Sequence, residues 1–137
     1  MIYGGMACSN YQGRRYRLYL ENDIVTLYSL NIDEYPDIPN LRKSEVTNAY
    51  RTKVWIRVRG CDAIYSGVKN GLIILDVRPG EDVYILNAKE IDRGIFRAEI
   101  PVEEIEKAWE ERRPYLDFQF PLNLKPEVKI DIDKFLH

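Results

Sequence analysis

The residues with the clearest chemical potential sit on one short stretch. From position 51 to 59, Arg51, Lys53, Trp55, Arg57 and Arg59 recur at every second place, with Val54, Ile56 and Val58 between them. In an extended chain this period puts the cations and the indole on one face and the aliphatics on the other. A face of this kind could follow a phosphate backbone while the indole stacks on a base. The competing reading is a solvated sheet face whose charges pair with carboxylates on adjacent strands. Arg15, Arg17 and Tyr19 alternate in the same way and would extend the surface if the strands are neighbours.

A second constellation is acidic. Glu103, Glu106, Glu110 and Glu111 follow Glu99 closely. On a helix they would form a negative exposed face, either simply solvated or able to dock a basic protein surface, with complementary charge speeding the encounter. A third lies in residues 31–48, a polar segment marked by Pro36 and Pro39 that reads as a long surface loop. Loops of this length in compact domains are uncommon and are often functional. Asp33, Glu34, Tyr35 and Asp37 combine charge with an aromatic anchor, the mixture that interfaces favour.

Catalysis finds little to work with. Asp62, Asp76, Glu81 and Asp82 are carboxylates near expected strand ends, but nothing in their spacing makes two of them converge. The one histidine is His137, so neither Cys8 nor Cys61 has a neighbouring imidazole to activate it. There is no phosphate-binding glycine loop and no nucleophile elbow. The reading is therefore non-enzymatic, with no catalytic residue, no metal site and no cofactor assigned.

The elements that must position these residues follow from composition and period. The chain has 137 residues, 45% of them apolar and 31% charged, which excludes a disordered chain. Twenty basic and 22 acidic side chains give a net charge of -2, which disfavours a general polyanion binder. The charge is uneven: residues 1–60 carry nine basic and six acidic side chains, and the remainder is acidic. No apolar run reaches the roughly 20 residues of a membrane span, and no leader-like segment opens the chain. The expectation is a cytoplasmic protein with two free thiols.

Strands are expected over residues 2–8, 14–20, 24–30, 50–59, 64–69, 72–77, 83–86 and 95–100, with a last one near 128–132. Asn70-Gly71 is the strongest hairpin signal, and residues 21–23 form a hairpin loop. One helix is expected near residues 101–113, with Pro101 at its first position and Val102, Ile105, Ala108 and Trp109 as its apolar stripe. The fold class is α+β in a single domain, residues 1–137: a mainly antiparallel bent sheet or small barrel of about seven to nine strands with that one main helix. The expected core contains Leu18, Leu20, Val54, Ile56, Val58, Ile73, Leu75, Ile85, Phe96, Ile105 and Trp109.

Two stretches, GRRYRLYLENDIVTLYSL at 13–30 and GIFRAEIPVEEIEKAWEERRPY at 94–115, resemble small bacterial immunity proteins, the cytoplasmic inhibitors encoded beside polymorphic toxins. The resemblance implies a non-enzymatic protein that binds one toxin domain and occludes its active site. It carries over no catalytic residues. The surfaces expected to bind are Asp33, Glu34, Tyr35 and Asp37 in the loop, and Glu103, Glu106 and Glu110 on the helix. The alternative is a nucleic-acid-binding or regulatory module using Arg51, Lys53, Trp55, Arg57 and Arg59.

Overall fold

The structure is a computed structural model that describes residues 2–136; Met1 and His137 lie outside the described residues. Its chain groups into two compact units, one of residues 6–52 and 112–126, the other of residues 2–5, 53–111 and 127–136.

The smaller unit, 6–52 and 112–126, is built from β1 (Ala7–Tyr11), β2 (Arg14–Glu21), β3 (Ile24–Ser29), β4 (Ile38–Arg42) and the opening residues of β5 (Tyr50–Val58). The strands pair in the order β4-β3-β2-β1-β5, and these pairs are antiparallel. Two of the connections are only two residues long. Gln12-Gly13 (φ 53° and 78°) and Asn22-Asp23 (φ 50° and 64°) hold both central residues left-handed, the type I′ geometry that matches strand twist. The register that follows sets Leu18 opposite Leu27 and Leu20 opposite Val25. Tyr16, Leu18, Val25, Leu27, Val46, Ala49 and Phe118 form the core of this unit, with Leu20, Tyr35 and Tyr115 packed against it.

The larger unit contains the rest of β5 with β6 (Cys61–Lys69), β7 (Leu72–Val77), a single-turn helix α1 (Glu81–Ile85), β8 (Lys89–Asp92), β9 (Ile95–Pro101), β10 (Lys107–Pro114, up to Glu111) and β11 (Glu127–Lys129). The path runs β5-β6-β7-β9-β8, and β10 pairs with both β5 and β11. Arg59-Gly60 and Asn70-Gly71 close the next two hairpins, again with both residues left-handed. Strict alternation on β5 buries Val54, Ile56 and Val58 against Ala63, Ile73, Leu75, Ala98 and Ile100. In neither unit do the end strands pair with each other, so the sheets are open rather than closed into a barrel.

Four sequence-based expectations are corrected. First, there are eleven strands among the described residues rather than seven to nine, and the main helix over 101–113 does not form. Val102–Glu104 is a single 3₁₀ turn, Ile105 is extended (φ -67°, ψ 124°), and the chain continues as β10. Val102, Ile105 and Ala108 are buried as the stripe required, because a turn followed by a strand satisfies that spacing too. Trp109 is not: it points to the other side of β10 and stacks on Trp55, with ring centroids 6.3 Å apart. Pairing with β5 and β11 overrides local helix preference here.

Second, residues 83–86 lie in and just beyond α1 rather than in a strand, which turns Ile85 outward (39% exposed) and gives the core position to Leu86 (2%). Third, the segment 31–48 is not one long loop: it contains β4 and a 3₁₀ turn at Lys43–Glu45. Fourth, the first strand begins at Ala7 rather than at residue 2, and the last is only Glu127–Lys129, followed by a 3₁₀ segment from Ile132. Phe96 and Leu20 of the expected core are half-buried at its margin.

These assignments separate Ile56 from Ile85. Ile56→Ala should lower unfolding free energy by ~2–5 kcal/mol in urea titration. Ile85→Ala should stay within ~0.5 kcal/mol. Equal losses for the two variants would mean that Ile85 packs inward after all.

Candidate functional interface

The two-residue turn at Asn22-Asp23 fixes which side chains of β2 and β3 share a face. Arg17 lies opposite Tyr28, Tyr19 opposite Thr26 and Glu21 opposite Ile24, and Ile24 in turn lies opposite Arg42 of β4. All point away from Leu18 and Leu27, and the face remains open: Tyr19 is 53% exposed, Ile24 42% and Tyr28 37%. The Arg17 guanidinium sits 5.3 Å over the Tyr28 ring, and the Tyr19 hydroxyl donates to Glu21 Oε2 at 3.4 Å. Arg17 has no carboxylate partner among the described residues, so its charge is held on an aromatic ring without being neutralised. Nearer β1 the same face closes over: buried Tyr50 donates its hydroxyl to Asn10 Oδ1 and accepts from Arg15 Nε.

Ile24 and Arg42 also border a groove of about 640 Å³ in this unit, whose wall includes Val46 and Phe118. Lys43 and Asp117 stand at it as an ion pair, with Nζ 2.7 Å from Oδ1 and the ammonium 5.3 Å over the Phe118 ring. The hydrogen bond from Lys43 holds the Asp117 carboxyl below the usual carboxylate range and raises Lys43 above the usual lysine range.

The loop residues singled out by sequence divide into two kinds. Asp33 and Glu34 are exposed on a turn ordered by Asn31, whose carbonyl accepts from the Glu34 and Tyr35 amides. Tyr35 and Asp37 are tied into the fold: the Tyr35 hydroxyl donates to the Arg15 carbonyl at 2.8 Å, its ring meets Tyr16 edge-on at 5.1 Å, and exposed Asp37 accepts at Oδ1 from the Ser29 amide at 2.7 Å. The sequence suggested Tyr35 as an exposed anchor; the anchors that stand exposed are Tyr19 and Tyr28. Tyr28 was within reach of sequence reasoning, since counting back across the Asn22-Asp23 turn places it beside Arg17.

In the larger unit the acidic set is dispersed. Glu103 is exposed on a 3₁₀ turn, Glu106 accepts from the Gly60 amide, and Glu110 is half-buried on the same side of β10 as Ala108. They share no helix face. The basic row is largely satisfied internally. Arg57 bonds both oxygens of Asp62, which lowers the Asp62 pKa, and Arg59 pairs with Glu104 at 2.8 Å and donates to the Ile85 carbonyl. Trp55 Nε1 donates to Glu111, Lys53 is exposed, and Arg51, in the smaller unit, lies over Tyr115. Asp76 pairs with Arg97, and burial pushes the Cys61 thiol up, away from thiolate. Among the described residues no three His, Cys, Asp or Glu side chains converge as metal ligands, and no helix is long and apolar enough to cross a membrane.

Comparison with protein-family models, curated proteins and solved structures finds no match to this chain.

The Lys43–Asp117 pair carries a pH signature. Because Asp117 is depressed in the fold, its contribution is present above the ordinary aspartate value of about 3.9 and is lost as pH falls through the lower folded value. Lys43 is raised, so its share is present below about 10.4 and is lost as pH rises through the higher folded value. Asp117→Asn should flatten the stability curve at both ends. Superimposable curves for variant and parent, from urea titrations across the range, would show that the pair contributes nothing.

Proposed function

We propose that this protein is a non-enzymatic, protein-binding inhibitor of the immunity type, which neutralises a bacterial toxin domain by covering its active region. The observation that carries the reading is the open outer face of the β2–β3 hairpin, where Arg17, Tyr19, Ile24, Tyr28 and Arg42 stand together. Tyrosine and arginine are the side chains that most often dominate binding energy in protein interfaces, because each buries a large area with few rotamers to freeze or presents several fixed donors. The hairpin is also the first of the two stretches that resemble immunity proteins. A short two-residue turn keeps both strands in one register, so the face is ordered before a partner arrives, which lowers the cost of association. Asp33 and Glu34, exposed just beyond β3, are suited to the interface rim, where they would steer approach more than add affinity.

The test is co-expression. A toxin domain encoded immediately upstream of this chain's gene should arrest growth alone and be tolerated when this protein is made with it. With both partners purified, Tyr19→Ala and Tyr28→Ala should each weaken the complex by ~2 kcal/mol in calorimetry while leaving the melting temperature nearly unchanged. Growth arrest unrelieved by the protein, with no complex detected at micromolar concentration, would sink the reading.

A further inference from the structure

Two opposite charges on the outer face of the β2–β3 hairpin are left without an ionic partner. Arg17 rests on the Tyr28 ring and meets no carboxylate among the described residues. Glu21 accepts one long hydrogen bond, from the Tyr19 hydroxyl at 3.4 Å, and meets no cation among them. Both side chains are exposed. They cannot neutralise each other, because four residues of extended chain hold them roughly 13 Å apart on one strand. Tyr19, 53% exposed, lies midway between them.

This spacing has a symmetry that a single chain cannot use. Tyr19 sits opposite Thr26 across the hairpin. Consider a two-fold axis that lies in the plane of the face and crosses both strands at that pair. It reverses the strand direction and turns the face of a second copy onto the first. Arg17 of one copy then stands over Glu21 of the other. On β3 the same rotation brings Tyr28, which lies opposite Arg17, over Ile24, which lies opposite Glu21. Tyr28 is 37% exposed and Ile24 42%, so each offers the other apolar area. Cation meets anion, ring meets aliphatic, and every contact is made twice, as an isologous interface requires. A face bearing one sign of charge would instead repel its own copy.

We infer that this face pairs two copies of the chain, with Arg17 of each against Glu21 of the other. The face covers two to three strands by five residues, roughly 15 Å each way, well under the ~800 Å² per partner of a standard interface. The pairing is accordingly weak and reversible, with a dissociation constant on the order of 10–100 μM. The inference goes beyond the inhibitor reading and does not depend on it. A protein partner docking on the same face would displace the second copy.

The test is sedimentation equilibrium of the full chain over concentrations from about 5 to 500 μM. The average mass should rise from that of one chain toward that of two. Arg17→Glu and Glu21→Arg each set like charges against each other across the axis, and each should weaken self-association at least about tenfold. Mixed in equal amounts, the two variants should pair with each other within about threefold of the parent, since each chain then brings the charges the other lacks. That recovery also shows that both variants are folded. A parent that stays a single chain at every concentration overturns the inference and leaves the face to a different protein. Self-association unchanged in both variants overturns it by placing the contact on another surface. Weakened variants that fail to pair when mixed overturn the match of Arg17 with Glu21. None of these outcomes bears on whether a toxin domain binds, so the two readings stand or fall separately.

Discussion

Four hairpins close through two residues in the left-handed conformation, and the placement of nearly every other side chain follows from that. A two-residue turn permits one register, and a slip by one residue would send each inward side chain out. In the larger unit, the Arg59-Gly60 turn pairs Val58 with Cys61 and Ile56 with Ala63 on the core side. On the other side it places Arg57 opposite Asp62, so their ion pair is a consequence of the turn rather than a cause of the fold. In the smaller unit the Asn22-Asp23 turn does the same, with Leu18 opposite Leu27 inside and Arg17 opposite Tyr28 outside. Arg59 tolerates its strained position because its side chain is tied to Glu104 and to the Ile85 carbonyl.

Much of this was legible. Period-two alternation located β5 and the faces of β2, and the Asn70-Gly71 turn fell where the dipeptide placed it. What failed was the passage after Pro101. There the spacing of Val102, Ile105 and Ala108 fits a helical stripe, and it fits a turn leading into a strand equally well. The decision is made by β5 and β11, both remote in sequence, and by the stacking of Trp109 on Trp55. Local pattern carries no information about partners that far away, so the helix reading had nothing to oppose it. Ile85 failed for a related reason: one turn of α1 after Gly80 shifts the phase, and Leu86 becomes the inward residue.

The site was legible in proportion to how locally it is determined. Arg17 and Tyr19 share a face by alternation alone, and Tyr28 joins them once the turn length is known. Tyr35 is less exposed than its polar neighbours Asp33, Glu34 and Asp37 suggest. The smaller core, however, is rich in tyrosine, and a phenol can pack its ring inward while its hydroxyl finds a backbone carbonyl, here that of Arg15.

The strand edges narrow how a partner could engage this chain. An open edge invites a foreign strand, and the edges here are blunted. Pro39 lacks an amide hydrogen on β4, and Asn40 beside it is left-handed (φ 60°). β8 is four residues long, mostly charged, and breaks register between Glu90 and Asp92. β11 has three residues and follows Pro126. Recognition is then left to side-chain faces and turns. On the outer face of the larger unit, Arg57–Asp62 and Arg97–Asp76 neutralise each other, and a docking protein would have to desolvate both charges of each pair for little return. On the hairpin face, Arg17 rests on a ring and keeps its charge uncompensated. In the proposed complex its desolvation would be offset by a carboxylate on the partner, and the same contact would bury Tyr19 and Tyr28. That difference in how the cations are held, more than their number, distinguishes a face built to stay in water from one suited to leave it.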